Sequence, residues 1–134
     1  MDGVASLAER IVDHAGDAVI FADRSGTIRR WNRAAAALFG FPTEEALGQR
    51  LDLIVPHHLR AAHWRGFDAA MANGGLRLQG RPTLTRAQGK DGRKLYVEMT
   101  FALVLNGDAA EGAVAVARDV TDRVERERAK GSQS

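Results

Sequence analysis

Apolar residues at Val4, Leu7, Ala8, Ile11 and Val12 recur every three or four positions, which puts them on one face and predicts an amphipathic leader helix. A helix outside the main body must cover such a stripe, either on the outer face of a sheet or against the same helix of a second copy. A homodimer is therefore expected. The pattern then shortens. Ala18–Ala22 is rich in strand formers, Asp23-Arg24-Ser25-Gly26 carries turn chemistry, and Thr27–Trp31 reads as the returning strand. Asn32 is placed to cap a helix that the alanines at 34–37 favour and Gly40 ends. After Pro42 the logic repeats, with Thr43 as cap, Glu44 and Glu45 at the positive end of the dipole, and Gly48 as stop.

The longest helical pattern follows Pro56, with Leu59, Ala62, Gly66, Phe67, Ala70 and Met71 at steps of three and four, and Asn73-Gly74-Gly75 terminates it. Two alternating runs come next. Leu76, Leu78, Gly80, Pro82 and Leu84 form one inward set, and Leu95, Val97, Met99, Phe101 and Leu103 the other, with Gly89–Gly92 as the turn between them. Pro82 cannot donate to a ladder, so its strand should bulge or lie at an edge. Asn106-Gly107-Asp108 turns the chain again, and Ala113–Ala117 closes the sheet. Strands, then helices, then strands suit an α+β domain: a five-stranded antiparallel sheet with helices on one face. The expected organisation is a leader helix at 1–15, a body at 16–120 and an exit helix with linker at 121–134.

With 134 residues, 45% of them apolar, the chain supports one core and not two. Its net charge of +2 comes from 19 basic and 17 acidic residues mixed along the sequence, so no single-sign field points to nucleic acid or an anionic membrane. The absence of cysteine excludes disulfides and thiolate metal sites. No long apolar run suggests a membrane span, and a cytoplasmic location is expected. Without a phosphate loop, a nucleophile beside a base, or metal-ligand spacing, no enzymatic activity is expected.

His63 breaks the pattern, because it falls within the apolar stripe of the long helix beside Leu59, Gly66 and Phe67. It should point inward. There it must hydrogen-bond, bind a metal, or stay neutral at a desolvation cost. Gly66 leaves room for a flat ligand against the helix. His57 and His58 do not converge on it, since five or six residues along a helix separate side chains by about 120 to 140°. Small residues at Gly66, Gly80, Ala113, Ala115 and Ala117 favour a hollow interior, whereas Phe67, Met71, Met99 and Phe101 could fill it.

The segments DAVIFADRSGTIRRWNRAAAALFG at 17–40 and RDVTDR at 118–123 together resemble the two ends of a PAS domain, over residues 16–123. That resemblance implies a sensory or interaction module with strand order 2-1-5-4-3, feeding a C-terminal output domain in signalling proteins such as histidine kinases. Asp119 and Thr121 can bond the free N–H groups of the exit helix, and Asp122 and Arg126 stand at i,i+4. The resemblance makes this junction a signal relay, with Val120 and Val124 hinting at a coiled-coil seam. The cysteinyl-flavin photochemistry of blue-light PAS receptors is excluded for want of a cysteine.

A narrower similarity runs from Arg60-Ala-Ala-His63-Trp64 through Gly80 to Lys90-Asp-Gly92, and it is to the haem-binding PAS domains of FixL-type oxygen-sensing kinases. It places His63 at the haem-iron ligand, with Leu78, Met99 and Phe101 forming the opposite wall and Met99 able to approach the iron. The arginine that those sensors carry above the haem is Thr83 here, with Arg81 two residues earlier, both on the outward parity unless Pro82 bulges. Ala69 replaces their propionate-binding arginine, so the resemblance reaches haem binding further than oxygen sensing. Trp31 and Asn32 match an aromatic and a polar position of flavin-binding PAS domains, which makes flavin the lesser cofactor alternative. The other alternative is a cofactor-free dimerisation or interaction module.

Overall fold

The computed structural model describes residues 5–73 and 81–132, and within them the turn at Asp23 shows how the chain starts its sheet. One carboxylate oxygen accepts from the backbone N–H groups of Ser25 and Thr27 at 3.0 and 3.1 Å, and the other from Arg29 Nε at 2.8 Å. Partial burial pushes the Asp23 carboxyl up, but hydrogen bonds from Ser25, Arg29 and the backbone outweigh it and hold the pKa at about 2. Gly26 takes the left-handed conformation that the tight turn needs, at φ 83°. Strands β1 (Ala18–Asp23) and β2 (Ile28–Trp31) pair across it.

Helices α1 (Leu7–His14), α2 (Arg33–Phe39), α3 (Thr43–Ala46) and α4 (Arg60–Asn73) precede and separate the strands, with 3-10 turns at Leu51–Leu53 and His57–Leu59. Strands β3 (Thr83–Gln88), β4 (Lys94–Asn106) and β5 (Ala109–Asp119) complete the sheet, and α5 (Thr121–Ser132) leaves it. All neighbours are antiparallel in the order β2-β1-β5-β4-β3, which is the expected order. The principal core lies on the inner face, where Ile20, Ile28, Phe39, Leu95 and Val97 are fully buried. The inward set Leu95, Val97, Met99, Phe101 and Leu103 on β4 behaves as its alternation predicts.

Asn32 joins three elements at once. Its Oδ1 accepts from Val19 N at 2.9 Å and Ala35 N at 3.0 Å, and its Nδ2 donates to Val12 O at 2.8 Å and Asp17 O at 3.0 Å. The residue is buried, so α1, β1 and the start of α2 are tied by one satisfied amide. Trp31 packs against Phe39 and Phe41 and donates its indole N–H to Phe41 O at 2.9 Å. Both side chains thus have structural roles.

Several expectations need correction. Thr43 does not cap α3: Pro42 stands at the N-cap, and Thr43 Oγ1 donates to Trp31 O at 3.1 Å. Strand β3 begins only after Pro82, and its parity is the reverse of that expected. Thr83, Thr85 and Ala87 pair with Met99, Val97 and Leu95 and so face inward, while Leu84 is exposed. Pro82 thus stands just before an edge strand, as its missing N–H requires. Leu76, Leu78 and Gly80 lie outside the described residues. The leader helix starts at Leu7 behind Ser6, whose side chain accepts from Glu9 N at 3.1 Å. It sits by α2, with Arg33 and Asp13 paired at 2.8 Å, and leaves Leu7 and Ile11 exposed.

Candidate functional site

Helix α4 sets the site, because it lays His63, Phe67, Ala70 and Met71 along one side, and the last three are buried. Those positions share a face at steps of three and four. Ala62 and Gly66 lie on the other side: both are exposed, and a side chain added at Gly66 would meet open space. The expected role of Gly66 as a gap for a flat ligand is therefore wrong.

Between α4 and the inner face of the sheet is a cavity of about 110 Å³ whose walls include Ile20, Ile54, Phe67, Met99 and Phe101. His63 opens onto it, and so does Thr85 of the re-registered β3. Ala113 and Ala115 line it as well, as the small-residue argument predicts. Of the cofactor-site residues expected, His63, Phe67, Met99 and Phe101 come together, Gly66 does not, and Leu78 lies outside the described residues. A wider cleft of about 440 Å³ lies between α1 and the β2–α3 region, far from His63 and rimmed by charged side chains.

The His63 ring stands edge-on to Trp64, with centroids 4.7 Å apart at 74°, and 6.1 Å from the Phe67 ring. Its Nδ1 is buried without a hydrogen-bond partner among the described residues. Burial pushes the imidazole pKa below its ordinary value; Asp52 and Asp68 pull the other way, and Arg50 adds to the lowering. A neutral, inward, unpartnered imidazole against apolar walls is the donor that haem iron takes. The donor chemistry fits haem. The space is smaller than the roughly 300–1,000 Å³ of ligand pockets, so a macrocycle requires α4 and the sheet to separate. His57 and His58 are exposed in the turn before α4, and no group of three or more metal-ligating side chains occurs among the described residues.

Two clusters outside the cavity escape a reading of periodicity. Trp64 donates its indole N–H to Asp52 at 2.7 Å, lies under the Arg50 guanidinium at 4.2 Å, and rests on Gly26, where any Cβ would collide with the indole. On the other face of the sheet Tyr96 packs against Val120 and Val124, with the Arg128 guanidinium 4.9 Å from its ring. Thr121 Oγ1 accepts from Tyr96 N at 3.0 Å, Val120 N donates to Tyr96 O at 2.9 Å, and Asp119 accepts from Thr121 N at 2.9 Å. Asp119 and Thr121 thus lie at the junction as expected, but Thr121 bonds back to β4. Val120 and Val124 are buried on Tyr96, so they are not a free coiled-coil seam. The expected Asp122–Arg126 pair is not among the ion pairs of the described residues, where Arg123 reaches Glu98 at 3.7 Å instead.

The family model of the PAS fold matches residues 6–120. An uncharacterised protein of Azorhizobium caulinodans is 34% identical over 134 residues, covering 96% of this chain and 18% of the relative. The oxygen sensor protein DosP of Escherichia coli is 31% identical over 94 residues, covering 68% of this chain and 11% of DosP. The chain therefore spans less than a fifth of either relative. Among solved structures, the PAS domain of a Colwellia psychrerythraea protein has a TM-score of 0.74 at 23% identity, over 86% of this chain and 95% of that one. A PAS domain from a two-component sensor histidine kinase gives 0.64 at 18%, over 84% and 92%. With the five-stranded order and the α4–sheet cavity in place, these matches make the chain a member of the PAS family.

Proposed function

We propose that this PAS domain is the sensory part of a longer, cytoplasmic signal-transduction protein, and that the cavity beside His63 receives haem, with His63 holding the iron. One observation carries the reading: the imidazole of His63 lines an apolar cavity together with Phe67, Met99 and Phe101. The similarity to an oxygen sensor over most of the chain supports it. When bound, haem supplies an iron whose oxidation state and ligands can change. Phe67, Met99 and Phe101 would enclose the group and exclude water. Asp119, Thr121 and Tyr96 tie the sheet to α5, and this coupling supports the reading of the junction as the relay to an output domain. Catalysis is not part of the reading.

Haemin titrated into the purified domain is expected to give a saturable Soret band that His63→Ala loses. An unchanged band in that variant eliminates His63 as the ligand. The small cavity favours a second reading, a cofactor-free interaction module, and a wild-type domain that develops no band selects it.

The reading includes a homodimer formed through α1, supported by Leu7 and Ile11, which are 63% and 61% exposed on one helix face. Replacing both by serine is expected to reduce the sedimenting mass to that of one chain without changing the circular dichroism. The same mass in the double variant would refute this interface.

A further inference from the structure

A histidine that holds a metal ordinarily donates its second ring N–H to a carboxylate or carbonyl, which fixes the ring's orientation. His63 has no such partner at Nδ1 among the described residues, although a carboxylate, Asp52, is close enough to influence its charge. That carboxylate is already engaged by the neighbouring indole, at 2.7 Å. We propose that Trp64, fixed by Asp52 and Arg50 and seated on Gly26, is the positioning residue that holds the His63 ring toward the cavity. The inference rests on the reading of His63 as the haem-iron ligand.

The geometry leaves little other means of orientation. Trp64 and Phe67 press on His63 from two directions, edge-on at 74° and tilted at 31°. Phe67 is itself locked edge-on against Trp64, with centroids 5.5 Å apart at 79°, so the indole braces both rings. The indole in turn has three fixed supports: its N–H bond to Asp52, the guanidinium over its face, and a hairpin backbone kept bare by Gly26. These supports come from the β1–β2 turn and from residues 50–52, so the clamp also joins α4 to both segments. Steric orientation by a braced aromatic thus takes the place of a hydrogen bond.

Asp52→Ala removes the acceptor and Asp52→Asn keeps one, which separates positioning from charge. Haemin affinity is expected to fall about tenfold or more in Asp52→Ala and in Trp64→Phe, the size of effect typical of supporting contacts around a metal ligand. The double variant should be no worse than either, because both remove the same bond, and Asp52→Asn should stay within about twofold of wild type. In the His63→Ala background, Asp52→Ala should change nothing. Undiminished affinity in Asp52→Ala, or an equal loss in Asp52→Asn, would overturn the proposal. Nuclear Overhauser contacts between the His63 and Phe67 rings decide it in the free protein, whatever becomes of haem. They should persist in wild type and Asp52→Asn and disappear in Asp52→Ala; their survival in Asp52→Ala sinks the clamp while leaving the haem reading intact.

Discussion

Asn32→Ala is expected to destabilise the domain by about 3–4 kcal/mol, the largest single loss foreseen for a polar residue of this chain. The side-chain amide uses its full capacity: two donations, to Val12 O and Asp17 O, and two acceptances, from Val19 N and Ala35 N. Alanine takes a partner from each of these backbone groups, of which Val12 O keeps only Ala15 N at 3.3 Å, around a residue only 2% exposed to water, and the cap of α2 is lost with them. Asn32→Asp should fare little better. It keeps the acceptor side but turns a carboxylate oxygen toward two carbonyl oxygens. Urea unfolding measures both variants, and a loss below about 1 kcal/mol in Asn32→Ala would mean that water replaces the amide.

Tyr96→Ala is expected to release α5 while leaving the sheet formed. The residue is 8% exposed, and its ring supplies the apolar surface on which Val120 and Val124 rest, so removal of the ring costs about 3 kcal/mol. A helix of 12 residues cannot hold itself in water at that cost, and the loss therefore appears locally. Amide exchange across residues 121–131 should rise about a hundredfold, with β1 and β5 protected as before. Tyr96→Phe, which keeps the ring, should exchange like wild type. Equal acceleration in sheet and helix would show instead that α5 and the body open together.

Most of the architecture is legible from one-sided burial. The alternation on β4 and the turn chemistry at Asp23 and Gly40 announce themselves because the same residues that bury or turn also define the element. The spatial order of the strands needed the family resemblance, since periodicity says nothing about neighbours. The parity expected at β3 failed because pairing with β4 sets it, placing Thr83, Thr85 and Ala87 opposite Met99, Val97 and Leu95, and an alternation counted along one strand does not see its partner. Gly66 and Ala62 misled because so little apolar surface is at stake in them that exposure costs almost nothing; His63, Phe67, Ala70 and Met71 define the face that α4 presents.

Half of the candidate site follows from one anomaly, a histidine in an apolar stripe. Its supports do not, because Trp64 meets Asp52, Arg50 and Gly26 only through the fold. Tyr96 stands on the outward parity of β4, where alternation alone gives it no partner. A signal for it existed in Val120 and Val124, two valines at i,i+4 in an otherwise charged helix that must rest on something.

The central claim is that occupancy of the cavity beside His63 is felt at the exit helix. Inner-face strand β4 carries Met99 and Phe101 at the cavity and, a few residues earlier, Tyr96 beneath α5, so one rigid element spans both places. Hydrogen exchange over residues 121–131, measured with and without haemin, tests this most directly. The account predicts altered exchange on loading in the wild-type domain and none in His63→Ala, whereas a helix whose exchange is unmoved by haemin that demonstrably binds would contradict it.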